Sequence, residues 1–258
     1  MGMKLRILPY KMSSESARLL ARELGCLRVY PHRNTYVPRR NHLVINWGLS
    51  VIPSCLSHVP SDCILNHPDA VAISSNKIRT FNVFSRQCFY DIPDWSCDRS
   101  VAEGWIDDDN IVYCRTTVTG HGGDGIVVAE SIDEIVEAKL YTKGVANETE
   151  YRVHVFNGEI IDFVKKARRR NQDNQPSHHI RNYKQGWVFV REGVQLPQVV
   201  EEAARGAIKA LGLSFGAVDV CQTTEGKACV FEVNTAPGIM NTSVERYAEA
   251  IRRCALCL

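Results

Sequence analysis

Three oxygen-bearing side chains toward the C-terminus have the types and spacing of a magnesium site. Glu232 and Asn234 are two residues apart, so on a strand both point to one face. Val218–Cys221 and Ala228–Val233 read as short buried strands joined by a turn at Glu225-Gly226, and that hairpin lets Asp219 approach the same face from the partner strand. Two carboxylates and an amide are hard ligands that suit Mg2+ held partly by protein and partly by nucleotide phosphates. Spacing alone also admits an ordinary hairpin whose polar residues face water.

The turn Thr119-Gly-His-Gly-Gly-Asp-Gly125 is a formal GxGxxG. A dinucleotide fingerprint needs a helix after it, and here the apolar strand Ile126–Ala129 follows. A protein kinase needs its lysine strand and its HRD and DFG elements downstream, and none is present. What is left is a β-hairpin whose tip is nearly all glycine. Gly120, Gly122, Gly123 and Gly125 let backbone amides approach an anion, or simply make the tip flexible.

The elements that must position these residues alternate in type. Leu5–Leu8 reads as a strand, and Ser13 or Ser14 can cap a helix ending at Gly25. Leu27–Tyr30 and Leu43–Asn46 are further short apolar runs, which together predict a small α/β layer. After the turn at Asn66-His67-Pro68, a helix is predicted from Ser74 or Ser75 through Ile78, Phe81 and Phe84. A charge-rich stretch from Asp98 to Asn110 leads to strand Ile111–Arg115. Ser131 and Glu134 predict a capping box on a short helix ending near Leu140. Val153–Phe156 and Ile160–Lys166 flank Asn157-Gly158, a hairpin signal, and the polar stretch Arg168–Ser177 reads as a mobile loop. Pro197 opens the clearest helix, with Val199, Val200, Ala203, Ala207, Ile208 and Leu211 on one face and Gly212 beyond its end. A C-terminal helix from Val244 packs Tyr247, Ala250 and Ile251 as core.

Composition bounds the function. In 258 residues, 31 basic against 29 acidic side chains leave a net charge of +2, which argues for neither a nucleic-acid coat nor a membrane-surface protein. No apolar run approaches the roughly 20 residues that span a bilayer. Ten scattered cysteines with no secretory leader ahead of Lys4 fit free thiols in a reducing cytoplasm. Cys254-Ala-Leu-Cys257 lacks a second pair or nearby histidines and reads as incidental, and His178 and His179 read as solvent-facing.

The order of elements resembles the ATP-grasp superfamily over roughly residues 66–240. In that order come a basic residue on a helix, a basic strand entering a glycine hairpin, a linker, an acidic strand, a basic strand and a metal hairpin. The chain looks most like the phage-type carboxylate-amine ligases, and is related more distantly to glutamate ligases acting on a ribosomal protein and to D-alanine ligases. Asp219, Glu232, Asn234 and the following Thr-Ala-Pro-Gly-Ile carry the likeness best. The resemblance implies an α/β (α+β) ATP-grasp fold. Residues 1–65 would be a short preceding α/β domain and residues 66–258 the ATP-grasp domain, with a lid at about 85–138 and a metal and substrate subdomain at about 139–258.

Transferred to this chain, the resemblance gives Lys77 and Arg115 as phosphate-binding cations, Arg115 standing where lysine is usual. Gly120, Gly122, Gly123 and Gly125 would form a flap over the phosphates. The linker Lys139–Lys143 would bond adenine, with Leu140 or Tyr141 packing on the ring, and Glu150 would bind the ribose. Arg152, Lys166 and Arg181, with Asn182, would face the transferring phosphoryl group, and Asp219, Glu232 and Asn234 would hold Mg2+ or Mn2+. The implied reaction activates a carboxylate with ATP as an acyl phosphate, which an amine then attacks to leave an amide, ADP and phosphate. Expected partners are an amino acid or peptide with a free carboxylate and an amine co-substrate. The location is cytoplasmic, in the host if the chain is phage-encoded. A small-molecule kinase on the same scaffold and a non-catalytic nucleotide-binding protein are the alternatives. Loops 171–183 and 235–243 would build the substrate pocket. The run Lys165-Lys166-Ala-Arg168-Arg169-Arg170 admits a solvated edge, an acidic substrate or nucleic acid. Alternation allows only one of Lys165 and Lys166 to face the site, and Lys166 is the choice.

Overall fold

A computed structural model describes residues 2–30, 36–87, 90–119, 123–169 and 186–257. The N-terminal apolar runs become β1 (Lys4–Pro9), β2 (Leu27–Arg28), β3 (His42–Trp47) and β4 (Ile64–Leu65), a parallel sheet in the order β2-β1-β3-β4. Every residue of β3 is buried, as a parallel strand covered on both faces requires. Between β1 and β2 lies α1 (Glu15–Glu23), and of the two candidate caps Ser14 is used, its hydroxyl accepting from Ala17 N at 3.3 Å.

Where the sequence predicts one helix there are two, α2 (Pro68–Ser74) and α3 (Lys77–Gln87). Pro68 starts the first at the position proline tolerates best. The break follows at Asn76, and Lys77 N donates to Val118 O at 3.1 Å, across to the glycine hairpin. The apolar pattern runs through this break, so periodicity could not reveal it.

The second sheet is antiparallel. It contains β5 (Trp95–Ser96), β6 (Val112–Arg115), β7 (Ile126–Ala129) and β8 (Leu140–Lys143) in the order β5-β8-β6-β7. The charge-rich stretch forms α4 (Arg99–Asp107), capped by Asp98 accepting from Ser100 N at 2.9 Å. The capping box forms, with Glu134 Oε2 accepting from Ser131 N at 3.2 Å, but it tops only a 3-10 turn, Ile132–Glu134. No helix runs on to Leu140, because that residue is drawn into β8 by pairing with Arg115.

The third sheet has the order β11-β10-β9-β12-β13, all antiparallel. Its strands are β9 (Asn147–Phe156), β10 (Glu159–Arg168), β11 (Trp187–Val190), β12 (Phe215–Thr223) and β13 (Ala228–Asn234). Asn157 and Gly158 both take positive φ, 46° and 80°, as a tight primed hairpin turn demands. One face packs Tyr151, Val153, Val155, Val218, Val220, Val230 and Val233 on α5 (Gln198–Ala210) through Val200, Ala203, Ala204, Ala207 and Ile208. Val199, predicted on that face, is exposed. Its neighbour Val200 takes the buried position. The last helix, α6 (Thr242–Leu256), packs Tyr247 and Ile251 with α1 and the first sheet. Asn66, in the left-handed region at φ 60°, joins the first and third sheets. Its Nδ2 donates to Phe215 O at 2.9 Å, and its carbonyl accepts from Asn46 Nδ2 at 2.8 Å. Among the described residues, no helix is long and apolar enough to cross a membrane.

Candidate functional site

The face of the third sheet opposite α5 carries a row of charge. Arg152 on β9 pairs in register with Asp219 on β12, which pairs with Glu232 on β13. The last alignment depends on a bulge. Val220 opposes Val230 while Asp219 opposes Glu232, so Phe231 is an extra residue. Cys229 opposes Cys221 and so shares the face of Asp219. Without the bulge, alternation would put Phe231 and Val233 on that face as well. The inserted residue reverses the parity, sends Val233 to the core, and brings Glu232 and Asn234 beside Asp219.

Each carboxylate of the row is matched by a cation. Arg152 grips Asp219 through a fork, Nε to Oδ1 at 2.7 Å and Nη2 to Oδ2 at 2.7 Å. Lys166 Nζ binds Glu150 and lies 3.4 Å from Asp219 Oδ2. Lys77 Nζ reaches from the start of α3 to Glu232 Oε2 at 2.6 Å, and Asn234 Nδ2 donates to Glu232 Oε1 at 3.0 Å. Burial works against the charge on Glu232, but the charge and hydrogen bond of Lys77, then Arg152 and Asn234, hold its carboxyl below the usual range. Asp219 is likewise lowered, with burial overridden by Arg152 and Lys166. For Arg152 and Lys166 the same carboxylates override burial and raise both cations.

Arg115 lies at the end of β6 beside this row. Its Nε is buried with no hydrogen-bond partner among the described residues, and burial lowers its pKa against the pull of Glu232. An orphaned guanidinium nitrogen facing a cluster of balanced ion pairs fits an anionic ligand that supplies the missing acceptor. A divalent cation fits the donor set at the far end. No three His, Cys, Asp or Glu side chains gather as a metal site among the described residues. Asp219 and Glu232 nevertheless stand in register with the amide of Asn234 adjoining them, which suits a hard cation that also takes phosphate oxygens.

The other predicted residues fall in different places. Gly123 and Gly125 take φ 92° and 73°, and a Cβ on Gly125 would lie 2.6 Å from Thr117 Cγ2, so that position requires glycine. Lys139 N donates to Arg115 O at 3.0 Å, which places the predicted linker against the strand bearing the orphaned cation. Leu140 is buried in the same core cluster as Phe81 and Phe84. Tyr141 turns the other way, into a cluster with Ala102 and Ile135, and its hydroxyl accepts from Ala138 N at 3.1 Å. Of the two candidates for packing on a base, the structure leaves Leu140 on the side of the site and removes Tyr141. Gly120, Gly122, Arg181 and Asn182 lie outside the described residues, as do His178, His179 and most of the two loops predicted over 168–177 and 171–183.

Sequence reasoning missed Phe189. It opposes Lys166 across β10–β11, is 50% exposed, and its ring centroid lies 4.9 Å from the Arg152 guanidinium. Nothing in Trp-Val-Phe-Val marks it. Also missed was the support of the Thr235–Ile239 segment by the first layer: Ser16 Oγ accepts from Ile239 N at 3.0 Å, and Gly48 packs under Ala236.

Comparison with known proteins fits this geometry. A family model described as an ATP-grasp domain, the second family of its clade, matches residues 120–250, more than half of the chain. None of the curated proteins matches the chain by sequence. Among solved structures, D-alanyl-alanine synthetase A from Vibrio cholerae O1 biovar eltor str. N16961 has a TM-score of 0.70 at 16% identity, covering 100% of this chain and 98% of that one. ATP-grasp ligase PsnB complexed with minimal precursor has a TM-score of 0.68 at 10% identity, covering 100% and 99%. Macrocyclase MdnC from Microcystis aeruginosa MRC, bound with precursor peptide MdnA, has a TM-score of 0.65 at 13% identity, covering 99% and 100%. At these identities the likeness is one of fold.

Proposed function

The chain belongs to this ATP-grasp family, and from that premise we propose that it is an ATP-dependent ligase joining a carboxylate to an amine. The observation that carries this reading is the row Glu150, Lys166, Arg152, Asp219, Glu232 and Lys77, three cations and three carboxylates closed on one another beside the unpartnered Nε of Arg115. A nucleotide polyphosphate with its cation has complementary groups for both halves of that row, so binding exchanges partners inside a balanced cluster.

In this reading Lys77 and Arg115 hold the nucleotide phosphates, while Gly120, Gly122, Gly123 and Gly125 close over them with backbone amides. The backbone of Lys139–Lys143 bonds adenine, with Leu140 against the ring, and Glu150 takes the ribose hydroxyls. Arg152 and Lys166 orient the transferring phosphoryl group, and Arg181 with Asn182 is assigned beside them on the family resemblance alone. Mg2+ at Asp219, Glu232 and Asn234 supplies charge neutralisation between the phosphates, as PsnB structures complexed with Mg and ADP illustrate for that protein. The side chains of this face then act by position and charge and need no serine or cysteine nucleophile. A carboxylate becomes an acyl phosphate, an amine displaces phosphate, and an amide is left. We take residues 1–65 as the preceding layer, with the lid and the metal and substrate subdomain following, in a cytoplasmic enzyme.

The solved relatives named for precursor peptides and for alanine ligation make peptides and amino acids the substrates to try. Incubation with Mg-ATP and pools of both, followed by phosphate release and mass detection of products, tests the reading. Amide products together with ADP are expected. A phosphorylated product without an amide would assign the chain to a kinase instead.

A further inference from the structure

A second charged cluster occupies the same sheet face, one register step from the first, and the reaction above makes no use of it. Asp162 on β10 pairs with His154 on β9, two residues along from Arg152. The two clusters are therefore about 7 Å apart along the strands. The Asp162 carboxylate is fully buried and is held from two elements. Arg191, just past β11, binds it through Nη1 and through Nη2 at 2.9 Å. Arg246, on α6, donates from Nη1 to Oδ1 at 2.6 Å. Ser243 Oγ donates to Oδ2 at 2.8 Å and accepts from Arg191 Nη2 at 2.9 Å.

The charge here does not balance. His154 is neutral at ordinary pH, since burial pushes it down to about 4, and its Nδ1 meets the Tyr247 hydroxyl at 3.1 Å. Two guanidiniums therefore share one carboxylate, which leaves a surplus of one positive charge, whereas each cation in the neighbouring row has its own acid. A clamp between β10 and α6 would need one arginine only. Both side chains remain open to solvent, Arg191 by 37% and Arg246 by 42%. The described contacts of Arg246 use Nη1 alone, for Asp162 and, at 3.4 Å, Ile161 O. Its Nε and Nη2, the edge that matches a carboxylate with two parallel bonds, have no partner among the described residues.

We infer that Arg191 and Arg246 form a subsite for a second, non-reacting carboxylate, so that the acid this protein activates is an amino acid or peptide bearing two carboxylates. The inference rests on the ligase reading for the place of the reacting carboxylate; the surplus charge does not depend on it. Asp162 holds the two guanidiniums in position, and Arg246 supplies the open fork. Specificity follows from the neutral alternative, because an amide in place of the second carboxylate leaves a desolvated guanidinium without its anion.

The test is calorimetric titration of the full chain, with Mg-AMPPNP present, using α,ω-dicarboxylates from succinate to suberate and the mono-amide of each. At least one dicarboxylate should bind about tenfold tighter than its mono-amide, the discrimination typical of one charge-assisted pair. Arg246→Gln should bring the two to equal affinity, and Arg246→Lys should restore part of the difference, which a merely structural arginine would not do. Equal binding of acid and amide by the wild type, no binding of either, or an equal loss for both in Arg246→Gln overturns the subsite. Product analysis reads the ligase assignment separately. Acid-over-amide discrimination without amide products would sink the ligase reading and leave the subsite standing, and ligation without discrimination would do the reverse.

Discussion

Arg152 and Asp219 oppose each other at one register position of the β9–β12 pair and close a two-bond fork, with both bonds at 2.7 Å. The contact buries a full charge of each sign, and Lys166 extends it at 3.4 Å to a second cation. Pairing of this kind keeps a strongly charged face stable while no ligand is bound. It also leaves every member able to change partner when phosphates and a cation arrive.

That arrangement predicts strong coupling between the two residues. Arg152→Gln or Asp219→Asn alone strands a buried charge, and each should lose about 3–5 kcal/mol of stability. The double variant should lose clearly less than the two losses added together, because neither charge is then left alone. Urea unfolding of the four proteins measures the coupling, and additive losses would show that the fork is not an energetic unit.

Glu232 separates stability from chemistry. Its partner Lys77 is partly exposed and Asn234 still satisfies one oxygen, so Glu232→Gln should keep the fold within about 1 kcal/mol of wild type. A neutral amide is a far weaker ligand for a hard divalent ion than a carboxylate, so Mg-dependent phosphate release should vanish. Unchanged release in this variant would refute the metal assignment.

How much of this was legible in the chain depended on whether the cause was local. Asn157-Gly158 dictates its turn by backbone preference, the apolar face of α5 needs only helical period, and Asp98 or Ser14 caps whatever helix follows. Glu232 and Asn234 share a face for the same local reason. The extra residue at Phe231, which turns that face toward Asp219, is fixed by pairing with β12, and no composition signal announces it. The break between α2 and α3 is set by a hydrogen bond from Lys77 to the distant Val118, and Leu140 leaves a predicted helix because β6 recruits it. Phe189 and the Asp162 cluster owe their meaning wholly to neighbours remote in sequence.

Gly48 carries a prediction about how the first layer serves the site. It takes φ 87°, and a Cβ there would sit 2.6 Å from the Cβ of Ala236, in the segment that follows Asn234. Gly48→Ala should lose about 1–3 kcal/mol through the combined backbone strain and overpacking, and should lower phosphate release by displacing that segment. Adding Ala236→Gly removes the clash but not the strain, so it should recover part of both losses. Thermal melts and turnover of the two variants check this; a single variant that behaves as wild type would mean that the loop is not held by the first layer.

Acid sensitivity should originate in His154 before any carboxylate titrates. Burial lowers its folded value from 6.5 to about 4, so between those pH values the unfolded chain binds a proton that the folded chain refuses. Stability contributed by the neutral ring is therefore complete above about pH 6.5 and is lost as pH falls toward 4. Asp219, Glu232 and Asp162, all lowered, add losses of the same sign as pH drops through their folded values. Between pH 7 and pH 5 the histidine alone accounts for roughly 2 kcal/mol. His154→Asn keeps a polar atom for the Tyr247 hydroxyl but cannot take up the proton in this range. Urea unfolding at the two pH values should show a smaller fall for the variant by about that amount. An identical fall in both proteins would place the acid sensitivity elsewhere, with the carboxylates of the Arg152 row as the groups to examine next.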